Sequence, residues 1–151
     1  MLEFTTGNIL RAETEALVCP VNCSGVLGSG LALQFKRVFA RNFFNYKEKC
    51  QNGEVKPGKM LVFETMRQSG PKYIINFPIK DHWQDKASIA TIETGLTDLK
   101  KTIKDLNIQS IAIPALGVGY GMLQWEEVKQ LIKSTLGNIN AHIIVFGPKH
   151  Q

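Results

Sequence analysis

The chain has 151 residues, of which 44% are hydrophobic and 21% are charged. This balance excludes intrinsic disorder, and the length suits one globular domain over residues 1–151 with its own core. The 18 basic residues exceed the 13 acidic ones by five, which gives a net charge of +5. Three cysteines without a Cys-x-x-Cys spacing argue against a disulfide framework or a structural zinc site.

The chain shows neither a signal peptide pattern nor the roughly 20 consecutive apolar residues that a membrane span needs. We therefore expect a cytoplasmic protein without a membrane partner. The basic excess lies between Lys36 and Lys86, where eleven basic and five acidic residues give +6 and leave −1 for the remainder. A localised positive field fits an anionic partner such as nucleic acid or a phosphorylated ligand, although a solvated lysine-rich surface gives the same pattern.

Predicted strands and helices alternate along the chain. Apolar runs bounded by turn residues predict five strands, at residues 15–21, 60–64, 72–77, 108–114 and 141–146. Apolar residues spaced by three or four predict three helices, at residues 30–50, 89–106 and 125–136. This order indicates an α/β sandwich with a largely parallel, buried sheet, in which ligands bind beyond the carboxyl ends of the strands. Pro20 cannot donate to a ladder, so we expect it at the end of its strand.

Two glycine-rich loops follow predicted strands and precede predicted helices. The first covers residues 22–30 and the second residues 114–121, each with three glycines. Glycine permits positive φ and close approach of the backbone, and successive N–H groups before a helix can hold a phosphate. The first loop has neither the dinucleotide-binding order nor the Walker A order. Together the loops favour a nucleotide-diphosphate ligand over ordinary tight turns.

A third segment, Asn-Phe-Pro-Ile-Lys-Asp-His-Trp at residues 76–83, places Lys80, His82 and Trp83 after a predicted strand. Beside glycine loops, Lys80 can be an electrostatic ligand for phosphate. When desolvated, its amine can also be a nucleophile that forms a Schiff base with a masked aldehyde. A surface lysine with His82 and Trp83 packed locally fits the pattern equally well.

These motifs together resemble those of macrodomains, the ADP-ribose-binding α/β/α proteins, along almost the whole chain. Residues 6–9 (Thr-Gly-Asn-Ile) resemble the opening motif, residues 16–22 the first core strand, and the glycine loops the two phosphate loops. Within the family the chain is most similar to the DNA ADP-ribosyl glycohydrolases that serve as antitoxins. The matching stretches are residues 25–36, 53–60, 75–83 and 123–125.

Two features separate that branch from others. The lysine motif is lacking in the protein-hydrolysing macrodomains, and residues 119–122 lack the aspartate of the branch that acts on ADP-ribosylated glutamate. The resemblance implies a three-layer α/β/α sandwich with a mixed, largely parallel sheet. It also implies an enzyme that removes ADP-ribose from thymidine bases of DNA and so repairs the damage of a toxin.

The resemblance assigns roles to individual residues. Lys80 would attack the anomeric carbon of the opened distal ribose, and Asn22 would orient that ribose. Asn8 replaces the aspartate that usually contacts the adenine amino group, and His82 and Trp83 are candidates to contact DNA. The implied ADP-ribose site consists of Asn8, Ile9, Asn22, Gly25, Val26, Gly28, Ser29, Gly30, Gly117, Val118, Gly119, Tyr120 and Gly121.

ADP-ribose is then the ligand, without a cofactor or metal, and ADP-ribosylated single-stranded DNA is the substrate. A DNA ADP-ribosyltransferase toxin is an implied partner, and we expect a monomer because the three predicted helices all face the sheet. The alternatives are a module that only binds ADP-ribose and a hydrolase of ADP-ribosyl esters or O-acetyl-ADP-ribose. A plain nucleic-acid-binding domain is the weakest alternative, since the motifs of RNA-binding domains are absent from the sequence.

Overall fold

A six-stranded sheet forms the centre of the computed structural model, which describes residues 1–148; the last residues of the predicted domain, 149–151, lie outside the described range. The strands are β1 (Leu2–Thr5), β2 (Ala16–Val21), β3 (Leu61–Glu64), β4 (Tyr73–Pro78), β5 (Ser110–Pro114) and β6 (His142–Phe146). Their spatial order is β1-β6-β5-β2-β4-β3. Neighbouring strands are parallel except β3 and β4, so the sheet is mixed and largely parallel.

Helices cover both faces of this sheet. They are α1 (Gly30–Val38), α2 (Ala40–Gln51), α3 (Ile89–Asp105) and α4 (Trp125–Leu136). Leu17 and Cys19 of β2 pack with α1 and α2, whereas Ala16 and Val18 pack with α3 and α4. Because alternate residues of a strand face opposite sides, a strand buried on both faces is apolar throughout. The three-layer sandwich is therefore confirmed.

The prediction of one helix over residues 30–50 is wrong, because the chain breaks at Phe39 (φ −119°, ψ 65°). Arg67 stabilises the break: its Nη2 donates to the carbonyl oxygen of Val38 at 2.8 Å, and its guanidinium lies 4.5 Å from the centre of the Phe39 ring. The spacing of apolar residues does not reveal the break, because Phe35, Phe39 and Phe43 follow each other at intervals of four and are all buried. Strand β1 was also absent from the prediction.

Within residues 1–148, no helix is long and apolar enough to cross a membrane.

The central strands β2 and β5 separate toward their carboxyl ends. β2 pairs with β4 along its whole length but with β5 only at Ala16 and Leu17. The carbonyl oxygen of Val21 accepts from the N–H of Ile79 on the β4 side at 2.9 Å. Since successive residues alternate sides, Pro20, one residue before the strand's end, faces β5 without an N–H to donate. The resulting crevice lies where the strand order reverses, which is the usual ligand position in such sheets.

Helix α3 lies close to the sheet because Gly95 has no side chain. A Cβ at that position would clash with the buried ring of Phe77. We expect Gly95→Ala to lower the free energy of unfolding by about 1–3 kcal/mol in urea denaturation, because either the ring or the helix must shift. Thr97→Ala, on the exposed face of the same helix, is the control and should stay within about 0.5 kcal/mol. Equal stability of the two variants would contradict this packing.

Candidate active site

A cleft of about 690 Å³ opens where β2 and β5 separate. Its walls are the two glycine loops, the segment after β4, the 3₁₀ turn Ile9–Arg11 and the end of β6. The volume lies in the range of small-molecule binding sites. Among residues 1–148, no group of three His, Cys, Asp or Glu side chains comes together to hold a metal ion.

The cleft brings together most of the predicted site residues. They are Asn8, Ile9, Asn22, Val26, Gly28, Ser29, Gly30, Lys80, Trp83, Gly117, Val118, Gly119, Tyr120 and Gly121. Gly25 and His82 are not among the lining residues. The side on which Gly25 would carry a side chain faces α2: a Cβ added there would lie 3.5 Å from Cβ of Cys50. His82 instead stabilises its own loop through a hydrogen bond: its Nδ1 accepts from the backbone N–H of Gln84 at 3.1 Å.

Other residues that no sequence motif predicted also line the cleft. Gln34 lines the cleft from α1, one turn after Gly30, so helical spacing from the first loop would have indicated it. Phe146, Gly147 and Pro148 line it from the end of β6. They reach the cleft because β6 lies beside β5 in the sheet, and a local sequence pattern does not predict which strands are neighbours.

Asn22 organises the first glycine loop from inside. Its side chain is only 6% exposed, Oδ1 accepts from the N–H of Ser24 at 3.0 Å, and Nδ2 donates to the carbonyl oxygen of Val26 at 2.7 Å. The hydroxyl of Tyr46 lies 2.8 Å from both Oδ1 and the carbonyl oxygen of Asn22. The second Nδ2 proton has no partner within residues 1–148, so it can be donated to a ligand.

The environment of Tyr46 keeps its hydroxyl a donor. Burial raises the pKa of Tyr46 well above the ordinary value, and the neighbouring Cys50 raises it further. Burial also raises the pKa of Cys23 to about 12, with Lys56 opposing the shift. At neutral pH the Cys23 thiol beside the cleft is therefore protonated and a poor nucleophile.

The N-terminus of α1 faces the cleft without a side-chain cap. Ser29, at the N-cap position, makes no side-chain hydrogen bond to the first turn. The first helical hydrogen bond joins the N–H of Leu33 to the carbonyl oxygen of Ser29 at 3.2 Å. The N–H groups of Gly30, Leu31 and Ala32 precede it and have no helical partner, so they can bind an anionic oxygen.

The second glycine loop approaches this helix end from the opposite wall. Gly117 and Gly119 have φ values of +74° and +79°, and their carbonyl oxygens accept from Leu123 and Met122 within the loop. Tyr120 is 78% exposed, yet a Cβ on Gly30 would lie 3.5 Å from its ring. The Tyr120 ring therefore reaches across the cleft to the start of α1.

Hydrogen bonds on either side of Lys80 fix its backbone. The N–H of Ile79 donates to the carbonyl oxygen of Val21 at 2.9 Å, and the N–H of Cys23 donates to that of Asp81 at 2.7 Å. A third bond joins the N–H of Trp83 to Oγ of Ser24 at 3.0 Å. Lys80 is thus held in the cleft wall next to the first loop, and it makes no salt bridge within residues 1–148.

The contact between Tyr46 and Asn22 can be tested by removing one oxygen. We expect Tyr46→Phe to lower the free energy of unfolding by about 1–3 kcal/mol, because the one buried proton shared by the carbonyl oxygen and Oδ1 of Asn22 is lost, and only Oδ1 keeps another donor, the N–H of Ser24. Tyr120→Phe, which removes an exposed hydroxyl, is the control and should stay within about 0.5 kcal/mol. Urea denaturation measures both variants, and equal small losses would contradict the role of Tyr46.

Sequence comparison supplies a family and several relatives. The model of the Macro domain family matches residues 18–132. Relatives named DNA ADP-ribosyl glycohydrolase occur in Mycobacterium tuberculosis (47% identical over 149 residues) and Thermus aquaticus (46% over 136 residues). These alignments cover 98% and 90% of this chain but 42% and 38% of the relatives. The chain thus spans about two fifths of the length of these curated relatives.

Solved structures agree with this assignment. The macrodomain of Mycobacterium tuberculosis DarG matches with a TM-score of 0.97 and 47% identity over 99% of both chains. Thermosipho africanus DarTG in complex with ADP-ribose matches with a TM-score of 0.90 and 27% identity, over 98% of this chain and 42% of that one. Because the family match covers more than half of the chain, this protein belongs to the macrodomain family.

Proposed function

We propose that the chain removes ADP-ribose from DNA by cleaving the N-glycosidic bond to a thymine base. The observation that carries this proposal is Lys80, held in the wall of a cleft between two glycine loops. The names of the relatives, DNA ADP-ribosyl glycohydrolase, support the substrate class, and the ADP-ribose complex of Thermosipho africanus DarTG supports the ligand.

ADP-ribose would lie across the carboxyl ends of the central strands. The uncapped start of α1 and the second glycine loop are suited to the diphosphate. The turn Ile9–Arg11 contacts β5, while Lys80 follows β4 on the other side of β2. Adenine would therefore lie near Asn8 and Ile9, and the distal ribose near Asn22 and Lys80. Oδ1 of Asn8 already accepts from the N–H of Leu10 at 3.0 Å, so this asparagine also caps the turn.

Lys80 would act as the nucleophile. The distal ribose first opens: the bond from its anomeric carbon to the ring oxygen breaks, the oxygen takes up a proton, and the carbon becomes doubly bonded to the thymine nitrogen. The Lys80 amine adds to that carbon, a proton passes from the lysine nitrogen to the thymine nitrogen, and the bond from the carbon to the thymine nitrogen then breaks. The thymine nitrogen leaves with a proton, and the lysine is left as an imine of the sugar. One water molecule hydrolyses the imine, which releases ADP-ribose and restores the amine. Only the lysine and water take part, so the reaction needs no cofactor or metal.

The DNA would lie beside the Lys80 end of the cleft. Trp83 is 47% exposed there, and its ring lies 5.7 Å from that of His82 at an angle of 30°. An exposed aromatic face can stack on a base, so Trp83 is the proposed contact to DNA, with His82 supporting its ring from behind.

The proposed biological role is that of an antitoxin that repairs ADP-ribosylated DNA in the cytoplasm. A Thermosipho africanus relative, 28% identical over 162 residues, is named DNA ADP-ribosyl transferase-DNA ADP-ribosyl glycohydrolase fusion protein. That name supports a DNA ADP-ribosyltransferase as the partner of this chain. Residues 1–151 would act as a single, monomeric domain.

Lys80→Ala tests the chemistry against simple binding. We expect turnover of a single-stranded oligonucleotide with one ADP-ribosylated thymidine to fall on the order of 10⁴-fold, because the nucleophile is lost. Affinity for ADP-ribose, measured by calorimetry, should stay within about threefold of wild type, since the loops that hold the diphosphate are unchanged. Lys86→Ala, exposed and outside the cleft, is the matched control and should behave as wild type.

Two results would overturn the proposal. Wild-type turnover by Lys80→Ala would exclude the lysine mechanism. Binding of ADP-ribose without release from DNA by the wild type would instead assign a binding module or a hydrolase of another ADP-ribose linkage.

A further inference from the structure

The exposed side of α2 carries cations and an aromatic ring that the cleft does not use. Arg41, Phe44 and Lys47 are exposed and recur every three residues, so they share one side of the helix. The opposite side of α2 is buried through Asn42, Phe43 and Tyr46. We call the exposed side, Arg41, Phe44 and Lys47, the α2 stripe. Phe44 is 66% exposed, so its ring contributes little to the core.

The C-terminal end of the stripe contacts the first glycine loop. Cγ of Lys47 lies 3.6 Å from the position of a Cβ on Gly25, in the first glycine loop. The preceding residue of that loop, Ser24, accepts the backbone N–H of Trp83. Lys47 therefore lies against the loop to which the proposed DNA contact is anchored.

The N-terminal end of the stripe opens into a second cavity of about 390 Å³. Arg41 and Arg67 line this cavity, and no acidic residue from the described range 1–148 lines it. The start of α2 has no side-chain cap, and its first helical bond joins the N–H of Phe43 to the carbonyl oxygen of Phe39 at 3.1 Å. Positive charge thus lies at both ends of the stripe, with the Phe44 ring between them, while the exposed Glu48, one turn after Phe44, adds one negative charge to the same side.

Alternating cations and exposed rings are how proteins hold single-stranded nucleic acid: cations neutralise phosphates and rings stack on bases. Lys47 lies six positions after Arg41, which corresponds to about 9 Å along a helix. That length accommodates two to three stacked nucleotides at about 3.4 Å each.

We propose that the α2 stripe, with Arg67 at its far end, binds the single-stranded DNA that flanks the modified thymidine. The proposal rests on the proposed function: if Lys80 acts on the distal ribose, the thymine and its strand lie at the Trp83 end of the cleft. The stripe starts beside that end and leads away from it over α2.

The test compares a long and a short substrate. One is a single-stranded 12-mer with one ADP-ribosylated thymidine, and the other is the ADP-ribosylated thymidine mononucleotide. The variant is Arg41→Ala/Phe44→Ala/Lys47→Ala, and the control is Thr97→Ala/Lys101→Ala/Lys104→Ala on the exposed side of α3, across the sheet. We expect the stripe variant to raise KM for the 12-mer at least tenfold, with kcat unchanged. KM for the mononucleotide, which is too short to reach the stripe, should stay at the wild-type value.

Two further readouts separate DNA contacts from a general loss of structure. For the 12-mer, the slope of log KM against log salt should fall by about 1.4, because each lost phosphate contact on a single strand contributes about 0.7. Phe44→Tyr should retain the wild-type KM that Phe44→Ala loses, because the ring is kept. Arg41→Gln/Lys47→Gln keeps Phe44 and serves if the triple variant does not fold.

An unchanged KM for the 12-mer in the stripe variant would overturn the proposal. A protein would then be the next binding partner to test for the stripe. An equal rise of KM for both substrates would overturn it too, since the cleft itself would then be damaged. If the wild type cleaves neither substrate, the proposed function fails. The affinity of each variant for the unmodified 12-mer, measured by fluorescence anisotropy, then tests the DNA contact independently. Weaker binding in the stripe variant only would support the DNA contact, and equal binding in all variants would overturn it.

Discussion

The separation of β2 from β5 is the constraint on which the site depends. Pro20 has no N–H on the side that faces β5, and the ladder between the two strands ends after Leu17 and Ala112. Continuous pairing of β2 with β4 and of β5 with β6 keeps the two halves of the sheet in register. The opening therefore has rigid sides, and the loops that follow the strands can form a defined cleft rather than a mobile gap.

A small hydrogen-bond network turns that opening into a candidate active site. Asn22 closes the first loop, Tyr46 holds Asn22 from α2, and the backbone of Val21 and Cys23 holds the lysine loop. Burial keeps the Tyr46 hydroxyl protonated and therefore a donor. One amide proton of Asn22 remains for a ligand, so the same side chain can organise the loop and orient a sugar.

Local patterns in the sequence predict much of this arrangement, because strands, helices and glycine loops leave local signals. The break at Phe39 leaves none, because it is stabilised by Arg67 from a remote loop. Strand β1 is short, and its one partner strand among residues 1–148 is β6, at the other end of the chain. Gly25 has the same local signal as its neighbours, yet the side on which it would carry a Cβ faces Cys50 of α2, and it does not line the cleft. Each of these differences depends on contacts between distant segments.

The proposed mechanism requires a covalent bond between Lys80 and the sugar, and chemical trapping can detect that bond. Sodium borohydride would be added while the protein turns over the ADP-ribosylated 12-mer, and the digested protein would be analysed by mass spectrometry. We expect the peptide containing Lys80 to carry a reduced ADP-ribosyl group, while the other lysines stay unmodified. Turnover that leaves Lys80 unmodified under these conditions would contradict the proposed mechanism.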